Sequence, residues 1–145
     1  MFSSVPFRDV VLRRRRARRP FARRGRARRI PGTRSVTTPI DPDAAAIRSV
    51  LEATQDSDRV VLGTIDAFRH EGQRLLARAL ASSGKRVILV TMRMPTDAEA
   101  IPEVDTAIAC WSIHDPSTEA AAAVLCGERP ATGRVPLSTR MGVAA

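Results

Sequence analysis

Largely apolar runs alternate with helical patterns along the chain from residue 34 onward. The apolar runs are Arg59–Ile65, Val87–Thr91 and Thr106–Trp111. A run without polar alternation is typical of a parallel strand that helices cover on both faces. Gly84 precedes the middle run and Pro95 follows it, so we expect Arg93 to lie at the carboxyl end of that strand.

The segments between these runs have the periodicity of helices. Asp41-Pro42-Asp43 is a helix-start signal before Ala44–Thr54, and Glu71–Ser82 spaces its leucines on one face. Ser117 is expected to cap a third helix, and Ser35–Pro39 fits a further short strand. Strands and helices that alternate in this way form βαβ units with right-handed crossovers. We therefore predict an α/β fold, a three-layer sandwich with a mainly parallel sheet of about four or five strands.

The positive charge of the chain is concentrated at its beginning. Residues 1–34 contain 13 arginines and one acid, a net charge of +12, whereas the whole chain carries +9. Residues 1–33 are therefore predicted to form a disordered arginine-rich tail, and residues 34–145 a mildly acidic folded domain. Such a tail suits the phosphates of a nucleic acid or an anionic membrane surface, or it is a passive extension without a partner.

Neither a secretory signal nor a membrane-spanning segment is visible in the sequence. Val10-Val11-Leu12 is too short for the hydrophobic region of a signal peptide, and arginines follow it. No apolar run reaches the ~18 residues that a membrane span needs. A cytoplasmic location is therefore favoured.

Two cysteines, Cys110 and Cys126, are present without the spacing of a metal site. Neither has a CxxC partner or a clustered histidine, so the sequence predicts no metal site, no cofactor and no disulfide framework. Free cysteine is among the most buried residue types, and we expect both to be small buried side chains.

Three sequence fragments, taken together and in their order along the chain, form a recognisable pattern. They are Thr64-Ile65-Asp66 with Glu71-Gly72-Gln73, then Gly84–Pro95, then Val124–Pro130 with Thr132–Leu137. Together they resemble the C-terminal α/β sandwich domain of the family 3 glycoside hydrolases, over roughly residues 34 to 140. With Pro102-Glu103-Val104 and Trp111-Ser112, the pattern is most similar to the bacterial β-N-acetylhexosaminidase branch. Cys126 stands where the family has an aromatic residue, and the domain looks truncated at its front.

This resemblance implies a domain that works beside a catalytic barrel. The family's nucleophilic aspartate lies on an N-terminal (β/α)₈ barrel of about 250 residues, and in the hexosaminidase branch a histidine of the same barrel is the general acid. The 145 residues leave no room for that barrel. We therefore expect no catalytic residue, and no hydrolysis of β-N-acetylglucosaminide or β-glucoside bonds by this chain alone. The implied partners are a separate barrel domain or chain and a carbohydrate. The competing hypothesis is a non-enzymatic nucleic-acid-binding protein that acts through the arginine-rich tail.

Five side chains are candidates for contacting the sugar or the barrel. Asp66, His70 and Arg93 follow strands, at the edge where open α/β sheets bind ligands. Trp111 ends its own strand near His114, and its ring could stack on a pyranose. The alternatives are structural roles: a helix cap for Asp66, a solvated His70, a sheet-edge Arg93 and a core or interface Trp111.

Overall fold

Five strands and three α-helices form the part of the chain that the structure describes. The computed structural model describes residues 8–12 and 33–136, and for residues 8–12 it describes the backbone alone. The strands are β1 (Arg8–Leu12), β2 (Ser35–Thr38), β3 (Arg59–Thr64), β4 (Arg86–Thr91) and β5 (Thr106–Ala109). The helices are α1 (Ala44–Ala53), α2 (Glu71–Ser82) and α3 (Asp115–Leu125), and a 3₁₀ turn, Pro95–Ala98, follows β4.

The five strands form one parallel sheet in the order β2-β1-β3-β4-β5. This confirms the predicted α/β class and the parallel sheet. The order reverses between β1 and β3, because the chain moves to one side from β1 to β2 and to the other side from β3 to β5. In open α/β sheets such a reversal creates a crevice outside the carboxyl ends of the strands.

Helices cover both faces of the sheet and bury its two sets of alternating side chains. On one face Val60, Leu62 and Leu89 pack with Val50 of α1 and with α2, in the larger core cluster. On the opposite face, side chains of the same strands and of the segments that follow them pack against Ala121 of α3 in a second cluster (Val61, Val90, Met92, Cys110, Ala121). Strands buried from both sides explain why their sequences lack polar alternation.

The prediction of a disordered tail is wrong for Arg8–Leu12. These residues form β1 in the interior of the sheet, where Val10 pairs with Val36 of β2 and with Leu62 of β3. Two valines and a leucine form a short β-prone segment, and the arginines that follow it conceal that signal. The folded domain therefore includes a strand before residue 34, at the front where a truncation was expected. The rest of the predicted tail, residues 1–7 and 13–32, lies outside the described residues.

Local capping chemistry sets the ends of the helices. Asp43 caps α1, and its side chain accepts a backbone N–H of the first turn at 2.8 Å. Gly84 and Gly127 follow α2 and α3 with φ of +76° and +73°, a conformation that glycine adopts at little cost. The third helix begins at Asp115 and not after a Ser117 cap, because a proline fits within its first turn. Within the described residues, no helix is both long and apolar enough to cross a membrane.

Candidate functional site at the carboxyl edge of the sheet

Three of the candidates occupy equivalent positions at the carboxyl edge of the sheet. β3, β4 and β5 end in one register row, and Asp66, Arg93 and Trp111 each lie two residues beyond it. Neighbouring strands are about 4.8 Å apart, so these three backbone positions span about 10 Å. We call the three residues the edge row. Asp66, at one end of this row, follows β3, which is one of the two strands between which the strand order reverses.

An ion pair joins two members of the edge row. Arg93 Nη1 donates to Asp66 Oδ2 at 2.9 Å, and the side chains are 63% and 16% exposed, respectively. Asp66 has a φ of +53°, in a left-handed region that aspartate tolerates better than most residues. The alternative role of Asp66 as a cap does not apply, since α2 begins only after His70.

Gln73 of α2 holds the backbone that leads into the edge row, and the sequence interpretation missed this role. Its side chain is fully buried. Its amide nitrogen donates to Ile65 O at 2.9 Å and to Ile40 O at 2.8 Å, and its amide oxygen accepts Ile65 N–H at 3.0 Å. A glutamine at helical spacing from the buried Leu76 and Leu80 was the available sequence signal.

Asp41 connects the β2–α1 loop to the start of α2. Its Oδ1 accepts the N–H of Gly72 at 2.7 Å, while its Oδ2 lies 3.9 Å from His70 Nδ1. Only a protonated His70 makes this an ion pair. The structure therefore brings His70 to Asp41, whereas the ion pair of the edge row lies between Asp66 and Arg93.

Trp111 and His114 lie on the same loop, between β5 and α3. Trp111 is 48% exposed and has a φ of +60°, which is a genuine outlier for a bulky side chain. Strained backbone of this kind clusters at binding sites. His114 is exposed at the N-cap position of α3, where its side chain makes no capping hydrogen bond. Its backbone N–H donates to Ser112 Oγ at 3.1 Å, which shapes the loop.

Exposed apolar side chains follow each of the three strands that lead to the edge row. Phe68 follows β3, Met94 follows β4, and Ile113 follows β5 with Trp111. Their exposed fractions are 50% for Phe68, 39% for Met94 and 52% for Ile113. We call these four residues the apolar rim. The strands deliver all of them to the same edge of the sheet, because parallel strands end on the same side.

A buried carboxyl, Asp97 of the 3₁₀ turn, lies behind this edge and was not singled out from the sequence. Asp97 is fully buried, and its Oδ1 accepts the N–H of Ala67 at 2.8 Å. Burial raises the pKa of Asp97, and the nearby Asp66 raises it further, while the Ala67 N–H, the Thr64 hydroxyl and His70 lower it in part. A carboxyl with no more hydrogen bonds than this is poorly suited to carry a charge in the interior.

The two carboxyls at this edge are not arranged for glycoside hydrolysis. Retaining hydrolysis takes two carboxyl groups about 5 Å apart across the glycosidic bond, but Asp66 is bound to Arg93 and Asp97 is fully buried. No group of three or more His, Cys, Asp or Glu side chains that could hold a metal ion occurs among the described residues. Cys110 is buried, which raises the pKa of its thiol, and Cys126 is half-buried.

A parallel sheet in this order between helical layers defines the doubly wound α/β class. Within that class, the chain is similar to a family 3 glycoside hydrolase, a β-N-acetylglucosaminidase from Paenibacillus sp. str. FPU-7, at a TM-score of 0.74 and 20% identity. That match covers 88% of this chain and 26% of the enzyme. A fungal multi-domain family 3 β-N-acetylglucosaminidase matches at a TM-score of 0.65 and 17% identity, over 88% of this chain and 15% of its own.

No family model and no curated protein matches the sequence. The structural similarity nevertheless confirms, at the level of the fold, the resemblance seen in the three sequence fragments. The chain has the fold of one part of these family 3 enzymes and spans only a minor share of their length, 26% and 15%.

Proposed function

We propose that the chain is an accessory domain of a family 3 glycoside hydrolase of the β-N-acetylglucosaminidase type. It docks through the carboxyl edge of its sheet on a catalytic (β/α)₈ barrel and does not hydrolyse glycosides alone. The observation that carries this proposal is the apolar rim around the edge row. Large exposed apolar side chains that collect at one edge of a domain beside polar groups are typical of interaction surfaces.

The catalytic barrel is the occupant that best fits this surface. Both similar enzymes contain far more chain than the matched part, which is 26% of one and 15% of the other. Within the described part of the chain, Arg93 is 63% exposed and uses Nη1 for Asp66, which leaves its other guanidinium N–H groups for a carboxylate of the barrel. Aromatic residues and arginine are the side chains that most often anchor protein interfaces, and Trp111 and Phe68 supply the aromatic part.

Site-specific photo-crosslinking tests the docking. A photoreactive amino acid replaces Phe68 or Trp111 in the full chain, and mass spectrometry identifies the crosslinked protein in an extract of the source organism. The expected product joins the chain to a peptide from a family 3 barrel. The matched control places the same group at Arg86, which is exposed at the opposite, amino end of β4. Equal crosslinking from Arg86, or products without any barrel peptide, would contradict the proposal.

The predicted inactivity needs a separate assay. The purified chain is incubated with a chromogenic N-acetylglucosaminide, and we expect release of chromophore no faster than in buffer. Turnover that disappears in Asp66→Asn would overturn this expectation, because it would make Asp66 a catalytic carboxylate despite its ion pair with Arg93.

A second candidate function is nucleic-acid binding, which the +12 charge of residues 1–34 favours. Contacts with phosphates make the affinity fall as salt rises. The logarithm of the binding constant decreases by about 0.9 per phosphate contact for each tenfold increase in salt concentration. Deletion of residues 1–33 would also remove β1, so the test substitutes the arginines of residues 13–29 by glutamine. Loss of salt-sensitive DNA retention in a variant that stays folded would support this function. Retention equal to that of the unsubstituted chain would contradict it.

A further inference from the structure

Three buried side chains behind the carboxyl edge have oxygens without hydrogen bonds among the described residues. Thr64 and Thr91 are paired in register at the ends of β3 and β4, and both are fully buried. Neither Thr64 Oγ1, Thr91 Oγ1 nor Asp97 Oδ2 has a hydrogen bond of standard geometry in the described part of the chain. The two hydroxyls share a sheet face with the larger core cluster, to which the neighbours of Asp97, Ala67 and Ala98, also belong. Asp97 thus lies in a closed, mostly apolar pocket.

Among the side chains that the structure describes, the charged groups around the pocket leave Asp97 without a cationic partner. On the loop after β3, Asp66 raises the pKa of Asp97 and His70 lowers it, but His70 lies beside a different carboxylate, at 3.9 Å. From α2, Arg74 Nη1 donates to a backbone carbonyl of the loop at 2.6 Å. From the exit of β4, Arg93 binds Asp66. An unpaired buried carboxylate is costly, and a neutral carboxylic acid is the form that such a site accepts.

We propose that Asp97 is a proton-dependent switch that controls the order of the carboxyl edge. In the protonated state it stays in the pocket and accepts the Ala67 N–H at Oδ1. In the ionised state it leaves the pocket, which releases the 3₁₀ turn from the loop that carries Asp66 and Phe68. Lower pH therefore closes the edge, and higher pH loosens it.

The sign and the pH window follow from the direction of the pKa shift. Asp97 titrates at a higher pH in the closed form than in an open form, where it has an ordinary aspartate pKa. The closed state is therefore fully stable at a pH below the ordinary aspartate pKa. It loses stability as the pH rises through the raised pKa of Asp97 in the closed form. Between these two values the open population grows about tenfold per pH unit, because opening releases one proton.

Hydrogen exchange of the Ala67 amide reports this opening directly, since Asp97 accepts its N–H. We expect its protection factor to fall about tenfold per pH unit within the window and to stay constant on either side. The Met92 amide, which donates to Thr64 O at 2.9 Å, is the control and should show no such slope. Ala67 protection that is independent of pH would overturn the proposal.

Two variants separate a proton switch from a merely structural contact. Asp97→Asn keeps the acceptor and the shape without the titration, so its Ala67 protection should be independent of pH. The same slope in this variant would refute the role of Asp97. Thr64→Val removes a hydroxyl that lowers the pKa of Asp97, so the ¹³C NMR titration midpoint of the Asp97 carboxyl should move to higher pH. An unchanged or lower midpoint would also refute it.

Discussion

Replacing Gln73 by methionine should loosen the loop below the edge row without creating a cavity. Methionine has nearly the length and volume of glutamine but cannot make hydrogen bonds of comparable strength. The substitution removes both amide bonds to Ile65 and the bond to Ile40. Three backbone groups then lose the partner that the fold supplies.

The magnitude follows from the number of groups left without partners. A buried polar group without a hydrogen bond costs about 1–3 kcal/mol, and the low end applies because these bonds are only partly buried. The loss of about 3 kcal/mol is offset in part, since methionine is easier to bury than an amide. We expect a net loss of about 2–3 kcal/mol in the free energy of unfolding, which lowers Tm by roughly 10 °C.

Urea unfolding followed by circular dichroism measures this loss, with Leu75→Met, an exposed position on the same helix, as the control. Gln73→Glu adds a second test, which concerns the sign of the pH dependence of stability. Its carboxylate can still accept the Ile65 N–H, but it faces two carbonyl oxygens, so this variant should be less stable at pH 7 than at pH 4. If the free energy of unfolding of Gln73→Met lies within about 0.5 kcal/mol of that of the unsubstituted chain, which is the range of an ordinary surface substitution, the loop is not held by these bonds.

Two further predictions concern the surroundings of the edge row. Gly72→Ala should lower the free energy of unfolding by about 3 kcal/mol, because a Cβ there would lie 2.1 Å from Pro42 O. The control Gly133→Ala, where a Cβ meets nothing within 4 Å, should change it by less than about 1 kcal/mol, and equal losses would show that the close approach is unimportant. For the Asp66–Arg93 pair, a double-mutant cycle in low salt should give a coupling of about 0.5 kcal/mol that weakens in 1 M NaCl. A coupling unchanged by salt would contradict an ion pair whose arginine is largely exposed to solvent.

The sequence predicts most of the sheet and its helices, because their signals are local. The apolar run inside Lys85–Pro95 becomes β4, and α2 has the predicted bounds, Glu71–Ser82. A parallel strand that is buried from both faces must be apolar along its length, and an amphipathic helix must repeat its apolar positions every three or four residues. Arg8–Leu12 escaped notice because a five-residue strand has little periodicity and the surrounding composition is that of a disordered segment.

The candidate site was predictable only in part, for a different reason. Chain order places Asp66, Arg93 and Trp111 after strands, and the parallel sheet then brings them to one edge. The hydrogen bonds that support this edge join residues far apart in the sequence: Asp97 lies 30 positions after Ala67, and Gln73 lies 33 after Ile40. No local pattern marks such a pair, since each member on its own is an ordinary polar residue.

The supporting contacts and the apolar rim have different exposures, and this difference bears on how the edge would bind. The groups that fix its backbone, Gln73 and Asp97, are fully buried, whereas Phe68 and Trp111 are about half exposed. A surface whose backbone is already held in place loses less conformational entropy on binding than a mobile loop does. A variant of Gln73 should therefore weaken docking although it contacts no partner. In the crosslinking assay Gln73→Met should reduce the barrel product from Phe68, whose loop it loosens, more than the product from Trp111, which follows a different strand.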